Sequence, residues 1–324
     1  MKTYHIRRAD LELTRIAYGC MKIGGRWDRD PITADERARA ARAVMAAVEQ
    51  GITLFDHADI YCIGKSEEVF GDILRATPGL RDRILIQSKC GIRFANDPNS
   101  GDPHRFDFSY EHIVRSVEGS LKRLQTDRLD ILLLHRPDAL VEPEEVARAF
   151  DDLHHAGKVR FFGVSNHTAW QIALLQKHVA QPLIANQVEL SLLHTDLIDD
   201  GIVANQQPHG YTASAGTLDY CRAHGILVQA WGPLAGGRLF DSRRQQDERA
   251  RQTAALVAKM AQAKGTAPEA IALAWLLRHP AGIQPIIRTV EPARIAASCA
   301  ADALTLSREE WYELFVMARG APLP

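Results

Sequence analysis

Four side chains in this sequence could together deliver a proton to a substrate oxygen: Asp56, Tyr61, Lys89 and His135. A free phenol has a pKa of about 10 and is a poor acid at neutral pH. A nearby ammonium favours the phenolate and lowers that value, and a carboxylate keeps the ammonium charged and oriented. Lys89 and Asp56 supply those two types, and Tyr61 lies shortly after Asp56 in the chain. An imidazole such as His135 can donate the hydrogen bond that positions a carbonyl. Each residue also has a plain reading as a polar group at the rim of a core. That reading weakens for the set, because burying Asp and Lys without a shared partner costs several kcal/mol. Lys89 stands out alone: it ends the apolar run Ile84-Leu-Ile-Gln-Ser88 in a chain with 30 Arg and only 9 Lys.

These residues fall at or just beyond the ends of apolar runs that read as strands. Eight such runs occur: Ile16–Gly19, Ile52–Asp56, Ile84–Lys89, Leu129–His135, Val159–Val164, Ile184–Gln187, Ile226–Ala230 and Gln284–Ile287. They are apolar on both faces, as parallel strands covered by helices must be. Amphipathic stretches separate them, with recognisable starts. Thr33/Glu36 and Thr266/Glu269 have capping-box spacing, Thr168/Gln171 opens a third helix, and Pro143 suits a first turn. The run Ala270–Leu277 reads as a buried helix. The expected fold class is α/β, a (β/α)8 TIM barrel forming a single domain over residues 1–324. The first 15 residues read as an N-terminal β-hairpin plugging the barrel floor, and an extra C-terminal helix starts at Ser307. A doubly wound sheet is the rival, but no strand–GxGxxG–helix fingerprint supports it. Two irregular segments, Arg93–Phe108 and Ser191–Ser214, follow strand ends, where barrels build their sites.

The balance of 39 Lys+Arg against 40 Asp+Glu gives a net charge of −1. That lacks the basic field of a general nucleic-acid binder, so no nucleic-acid partner is expected. A charged start without an apolar core argues against a secretory signal, and no run is long enough to span a membrane. Five scattered cysteines without a CxxC pair fit reduced thiols and a cytoplasmic location. Several motifs are nearly present. Gly64-Lys65-Ser66 ends like a phosphate-binding loop but has Asp59 where its first glycine belongs, and Gly163-Val-Ser165-Asn-His167 lacks the last glycine of a nucleophile elbow. His154-His155 reads as solvent-facing, and no metal site is expected.

A set of short motifs, in order, resembles the aldo-keto reductase superfamily: Phe55-Asp-His-Ala-Asp-Ile-Tyr61, Ser88-Lys89-Cys90-Gly91, Leu134-His135-Arg136-Pro137-Asp138, Gly157 through Ser165-Asn166, and Asn186-Gln187. The likeness spans roughly Leu13 to Leu306. It implies a catalytic tetrad with Tyr61 as proton donor, Lys89 lowering its pKa, Asp56 pairing with Lys89, and His135 orienting the substrate oxygen. It implies NADPH as cofactor, with NADH the lesser alternative, direct hydride transfer to the carbonyl carbon, and no metal. By the same resemblance Ser165, Asn166 and Gln187 hold the nicotinamide carboxamide. Ser165-Asn166 also reads as a helix N-cap. Trp231 stands where the family has a stacking aromatic, in a run whose Gly232, Leu234, Gly236 and Gly237 also face the cofactor. Arg288, Thr289 and Arg294 match the segment that holds the adenosine phosphate, and Ser298 departs from the usual Asn beside the adenine.

The expected substrate is a small-molecule carbonyl compound, an aldehyde or some ketones, reduced to the alcohol. Its pocket is expected from the loop after the first barrel strand, with Met21 and Trp27, from Phe94 on the Arg93–Phe108 loop, and from a short C-terminal tail. Lys22 and Arg26 read as exposed charges, or else as holders of an anionic substrate group. A monomer is the default expectation. The alternative function is a cofactor-binding, redox-sensing module resembling potassium-channel β subunits, with very slow turnover and a protein partner.

Overall fold

The computed structural model describes residues 1–203, 216–244 and 247–324. Two antiparallel strands open the chain, β1 (Thr3–Ile6) and β2 (Leu11–Thr14). The barrel follows: β3 (Ala17–Gly19), β4 (Leu54–Asp56) and β5 (Leu85–Cys90). A two-residue ribbon, β6 (Ile92–Arg93) with β7 (Arg105–Phe106), interrupts it. The barrel resumes with β8 (Leu129–Leu134), β9 (Val159–Ser165), β10 (Leu183–Glu189), β11 (Leu227–Trp231) and β12 (Gln284–Ile287). These eight strands close in the order β3-β4-β5-β8-β9-β10-β11-β12, every neighbour parallel and β12 returning to β3. The expected (β/α)8 barrel with its hairpin is the observed fold.

The covering helices are fixed by local chemistry. Thr33 and Glu36 close a capping box on Ala34–Glu49, as do Thr168 and Gln171 on Ala169–His178, and Ser307 and Glu310 on the last helix, Arg308–Arg319. Thr266/Glu269 does not form one. Pro268 takes the first helical position of Pro268–Arg278, which moves the cap to Ala267 and leaves Thr266 outside the helix. Ala270–Leu277 is buried throughout, as its unbroken apolar run requires. Ser165-Asn166 caps nothing, because Thr168 takes that role.

Strand ends differ from expectation in a useful way. The ladders of β9, β10 and β11 run on to Ser165, Glu189 and Trp231, so Ser165 and Trp231 sit in strand register rather than in loops, and Gln187, read as the last residue of its strand, lies inside it. The Arg93–Phe108 segment is not wholly irregular. Besides the β6–β7 ribbon, Arg93 bridges Asp97 at 3.1 Å and Asp107 at 2.7 Å. Of Ser191–Ser214, the described part holds a short helix, Asp196–Asp199, and Asn205–Gly210 lies outside the described residues. Among the described residues no helix is long and apolar enough to cross a membrane.

Just past Lys89 and Cys90, Gly91 turns the chain at φ +105°, and a Cβ there would lie 2.2 Å from Phe108 Cε1. Gly91→Ala should therefore cost about 2 to 4 kcal/mol, from backbone strain and overpacking together. Denaturant titration of the variant against wild type checks this, and an unchanged midpoint would show that Phe108 yields freely.

Candidate active site

Lys89 points inward from β5 and has almost no exposed surface. Its ammonium donates to Asp56 Oδ1 at 2.7 Å and Oδ2 at 2.8 Å, to the His57 carbonyl at 2.8 Å and to the Tyr61 hydroxyl at 3.1 Å. Asp56 ends the neighbouring strand β4 opposite Gln87, and Lys89, two residues further along β5 on the same face, reaches back to it. Tyr61 reaches Lys89 through a tight turn in which Cys62 and Ile63 adopt φ +49° and +59° before Gly64 at +89°. His135 continues the β8 ladder through its N–H to the Cys90 carbonyl at 2.9 Å, and its ring meets Tyr61 edge-on at 6.0 Å. The four residues read from the sequence as a proton-transfer set thus converge at one barrel mouth.

Electrostatics refine the expected roles. Burial pushes the Tyr61 phenol up, Lys89 pulls it down and Asp56 pushes it up again, with a net rise. Lys89 therefore acts in the expected direction but does not outweigh burial in the protein alone. For Lys89, burial works against the ammonium, yet Asp56 and Tyr61 prevail and hold its pKa above the ordinary value. Because the Tyr61 oxygen accepts from Lys89, its own O–H is free to point at a substrate. His135 is held neutral, its pKa driven well down by burial and by the fields of Lys89 and Arg136. Its Nδ1 is buried without a partner among the described residues, and the His135 side chain lines the Tyr61 cavity.

Asp56, Tyr61 and His135 line a cavity of about 200 Å3 together with Ser165, Asn166, Gln187 and Trp231. These last four are knit to one another. Ser165 Oγ donates to the Gln187 carbonyl at 2.8 Å, and Asn166 Nδ2 donates to Ser165 Oγ at 2.9 Å and to the His135 carbonyl at 3.1 Å. Trp231 Nε1 donates to Asn166 Oδ1 at 2.9 Å. Asn166 adopts φ +62° and lines the cavity. Gln187 Nε2 is spent on Asp56 and Gln229 and its backbone carbonyl on Ser165, so its side-chain Oε1 is the atom that could face a ligand.

A second cavity of about 260 Å3 adjoins the first, sharing Gly232, Ile286 and Arg288 with it. The remaining sequence-selected residues, Leu234, Gly236, Gly237, Thr289, Arg294 and Ser298, all line it. Gly232, Gly236 and Gly237 have φ between +63° and +89°, so the backbone is bare toward the groove. The Ser298 hydroxyl is buried and unpartnered among the described residues, as expected of a group awaiting a ligand. Sequence reading missed two contributors. Lys22 lines this groove, its ammonium pushed down by burial and then by Arg288, Arg244, Arg39 and Arg294. Glu269, set aside as a cap, lines it as well. The concentration of cations with bare backbone and an orphan hydroxyl fits a phosphate-bearing dinucleotide.

The substrate side is less assembled. Met21 lines the Tyr61 cavity, where Arg288 donates to its sulfur at 3.8 Å. Trp27 and Phe94 meet edge to face at 6.4 Å but remain exposed and do not line that cavity. Arg26 is spent on Asp28 and Asp30. Arg319 turns the C-terminal segment toward Asp199 and the Pro322 carbonyl, and its residues do not line the Tyr61 cavity.

A model of the aldo/keto reductase family matches residues 15–315. Over 311 residues the chain is 39% identical to the 6-dehydroglucose reductase of Agrobacterium fabrum, covering 96% of each. Among solved structures it is similar to glycerol dehydrogenase from Gluconobacter oxydans, at 26% identity and TM-score 0.81, covering 100% of this chain and 97% of that one. It is also similar to an aldo/keto reductase from Klebsiella pneumoniae in complex with NADP and acetate, at 28% identity and TM-score 0.75, covering 100% and 96%. With a closed barrel, a buried Lys–Asp pair against a tyrosine and a match across nearly its whole length, the chain belongs to the aldo/keto reductase family and is an oxidoreductase.

Lys89→Met leaves Asp56 buried without its cation and should cost about 3 to 5 kcal/mol of stability. It should also raise the pH at which Tyr61 ionises, read from tyrosinate absorbance against a Tyr61→Phe background. A further expectation concerns pH. Burial lowers His57 to about 3 and His167 to about 4. The unfolded chain takes up those protons near pH 6.5 while the native state does not. Burial raises the Asp59 carboxyl to about 8, which opposes this trend over the same window. In an Asp59→Asn background, unfolding free energy should therefore fall as pH drops from 6.5 toward 4, and a flat profile there in denaturant titrations would contradict neutral buried imidazoles.

Proposed function

We propose that this protein reduces an aldehyde to the alcohol with NADPH, and that its substrate is a polyhydroxylated, sugar-derived aldehyde. The observation that carries the reading is the Tyr61 hydroxyl at 3.1 Å from a Lys89 ammonium clamped by Asp56, inside a cavity continuous with a cation-lined groove. Bound NADPH supplies the hydride. This chain's residues do the rest. Ser165, Asn166 and the Gln187 oxygen hold the carboxamide end, and Trp231 offers its indole face. Gly232, Leu234, Gly236 and Gly237 let the backbone approach the diphosphate. Lys22, Arg288, Thr289 and Arg294 hold the extra phosphate that separates NADPH from NADH, and Ser298 meets the adenine side.

At the other end His135 and Tyr61 hold the carbonyl oxygen, and Tyr61 passes its proton to that oxygen as negative charge develops. Lys89 then stands beside the tyrosinate, and Asp56 keeps Lys89 charged. Support for the substrate class comes from the relatives, whose names refer to a sugar aldehyde and to glycerol. The cavity supports it too: Arg136 adds a guanidinium beside His135, stacked 5.6 Å from the Trp231 ring, for hydroxyl groups to meet.

Oxidation of NADPH should proceed for many turnovers with a hexose 6-aldehyde and more slowly with a simple aliphatic aldehyde of similar length. Tyr61→Phe should lower kcat by about 10²- to 10⁴-fold. Arg294→Ala should raise KM for NADPH about 10- to 100-fold and leave NADH nearly unchanged. Wild-type turnover by Tyr61→Phe would overturn the acid assignment. Equal kcat/KM for the two aldehydes would overturn the substrate class, and tight NADPH binding without turnover would favour a sensing role.

A further inference from the structure

Barrel interiors are usually filled by branched aliphatic side chains. This one carries four buried amides on four strands: Gln87 on β5, Gln187 on β10, Gln229 on β11 and Gln284 on β12. They form one connected lattice. Gln284 Nε2 donates to the Thr14 carbonyl, at the end of the floor hairpin, at 2.6 Å. Gln229 Nε2 donates to Gln284 Oε1 at 2.9 Å and, across the barrel, to Gln87 Oε1 at 3.0 Å. Gln229 Oε1 accepts from Gln87 Nε2 at 3.0 Å and Gln187 Nε2 at 3.2 Å. Gln87 Nε2 and Gln187 Nε2 both end on Asp56 Oδ1, at 2.6 and 3.0 Å.

The lattice has a single consistent polarity. Its two ends, a carboxylate and a peptide carbonyl, are acceptors only. Gln87 must therefore turn its nitrogen to Asp56, and Gln284 must turn its nitrogen to Thr14. Gln229 in the centre then has one orientation that satisfies every neighbour. Such a buried network, paired at every amide atom but Gln187 Oε1, fixes side chains that isolated amides would leave free to flip. Asp56 Oδ1 receives three donors, two of them from the lattice, and only the third is Lys89.

We propose that this glutamine lattice is a positioning device for the proton-transfer set, with Gln87 and Gln229 orienting the Asp56 carboxylate so that Lys89 is shared between Asp56 and Tyr61 rather than drawn wholly onto Asp56. The inference rests on the proposed role of Tyr61 as acid. Without the amide donors, the carboxylate charge on Oδ1 is offset by Lys89 alone. Lys89 moves toward Asp56, and Tyr61 faces a more negative field. The groups around Tyr61 are Lys89 on β5, Asp56 on β4, Cys20 after β3 and His135 after β8. Burial drives Cys20 well above the ordinary thiol range and His135 well below the ordinary imidazole range, so neither changes charge near neutrality.

The test uses Gln229→Met, which keeps volume and lies one amide removed from Asp56. With NADPH and an aldehyde that the wild type turns over, kcat should fall about 10- to 100-fold, as for a small misplacement of reacting groups. KM for the aldehyde and the Kd for NADPH should stay within about twofold, since Gln229 lines neither cavity. The basic limb of the kcat–pH profile should move up by about one unit, and the tyrosinate titration of the cofactor-free protein should move with it. The double variant Gln87→Met/Gln229→Met should be slower than Gln87→Met alone by less than the full Gln229→Met factor, because part of the Gln229 effect runs through Gln87 and only the rest through Gln187. If Gln229→Met does not fold, Gln284→Met severs the lattice at its floor end and should move the same limb in the same direction. An unmoved pH profile and tyrosinate titration in a folded variant, or fully additive single effects, would reduce the lattice to core filling. Tyr61→Phe separates the two ideas. Retained turnover there defeats the acid assignment itself, whereas an inactive Tyr61→Phe beside a wild-type-like Gln229→Met defeats the lattice alone.

Discussion

A buried ammonium cannot be left to itself. Lys89 has almost no exposed surface, and every polar group near it is arranged to answer that charge. Asp56 answers with both oxygens, His57 with its carbonyl and Tyr61 with its hydroxyl. The requirement reaches into the backbone. To bring Tyr61 within 3.1 Å, the chain accepts a β-branched residue, Ile63, in the left-handed region. That conformation costs about 1 to 3 kcal/mol and survives because the surrounding contacts over-determine it. The flanking residues share the cost: Cys62 Sγ bonds the Met21 and Gly25 carbonyls, and Lys65 holds Asp28 at 2.8 Å.

The groove obeys the opposite rule. Lys22, Arg288 and Arg294 line it beside Glu269 and Glu291, and the Lys22 ammonium is pushed down first by burial and then by the fields of the arginines. Cations are not gathered this way for stability, because like charges repel in the folded state. Such a cluster makes sense where an anion completes it, and the bare glycine backbone beside it offers the room. Charge fully answered inside the barrel and charge left open along the groove are thus two halves of one arrangement.

Much of this was legible from residue types. Eight apolar runs with helix signals between them imply a parallel barrel, and Lys89 in a lysine-poor chain marks the centre of the site. What escaped depended on distances that sequence separation does not encode. Lys22 looked like a surface charge because the groove residues beside it, Arg288 and Arg294, lie more than two hundred residues away. Gln87, Gln229 and Gln284 looked like ordinary strand residues, since only barrel closure puts β5 opposite β11. Thr266 misled because Pro268 shifts the helix start by one residue, a local competition that spacing alone cannot weigh. The pull of Lys89 on Tyr61 was rightly signed, but the opposing effect of burial needed the packed structure.

The order of strands around the barrel separates two tasks. The residues assigned to the proton sit on β4, β5 and the end of β8, in the first half of the chain. Those assigned to the dinucleotide sit on β9 through β12 and just beyond, except Lys22, which follows β3. The halves meet at two seams, β8 against β9 and β12 against β3. Neither half of the polypeptide therefore carries a usable site by itself. Each can change its sequence without rebuilding the other only where both seams keep their register and the bonds across the barrel, Gln229 to Gln87 and Gln187 to Asp56, are kept. A family built on such a division can alter what it binds at one end of the chain while the acid at the other end stays where it is.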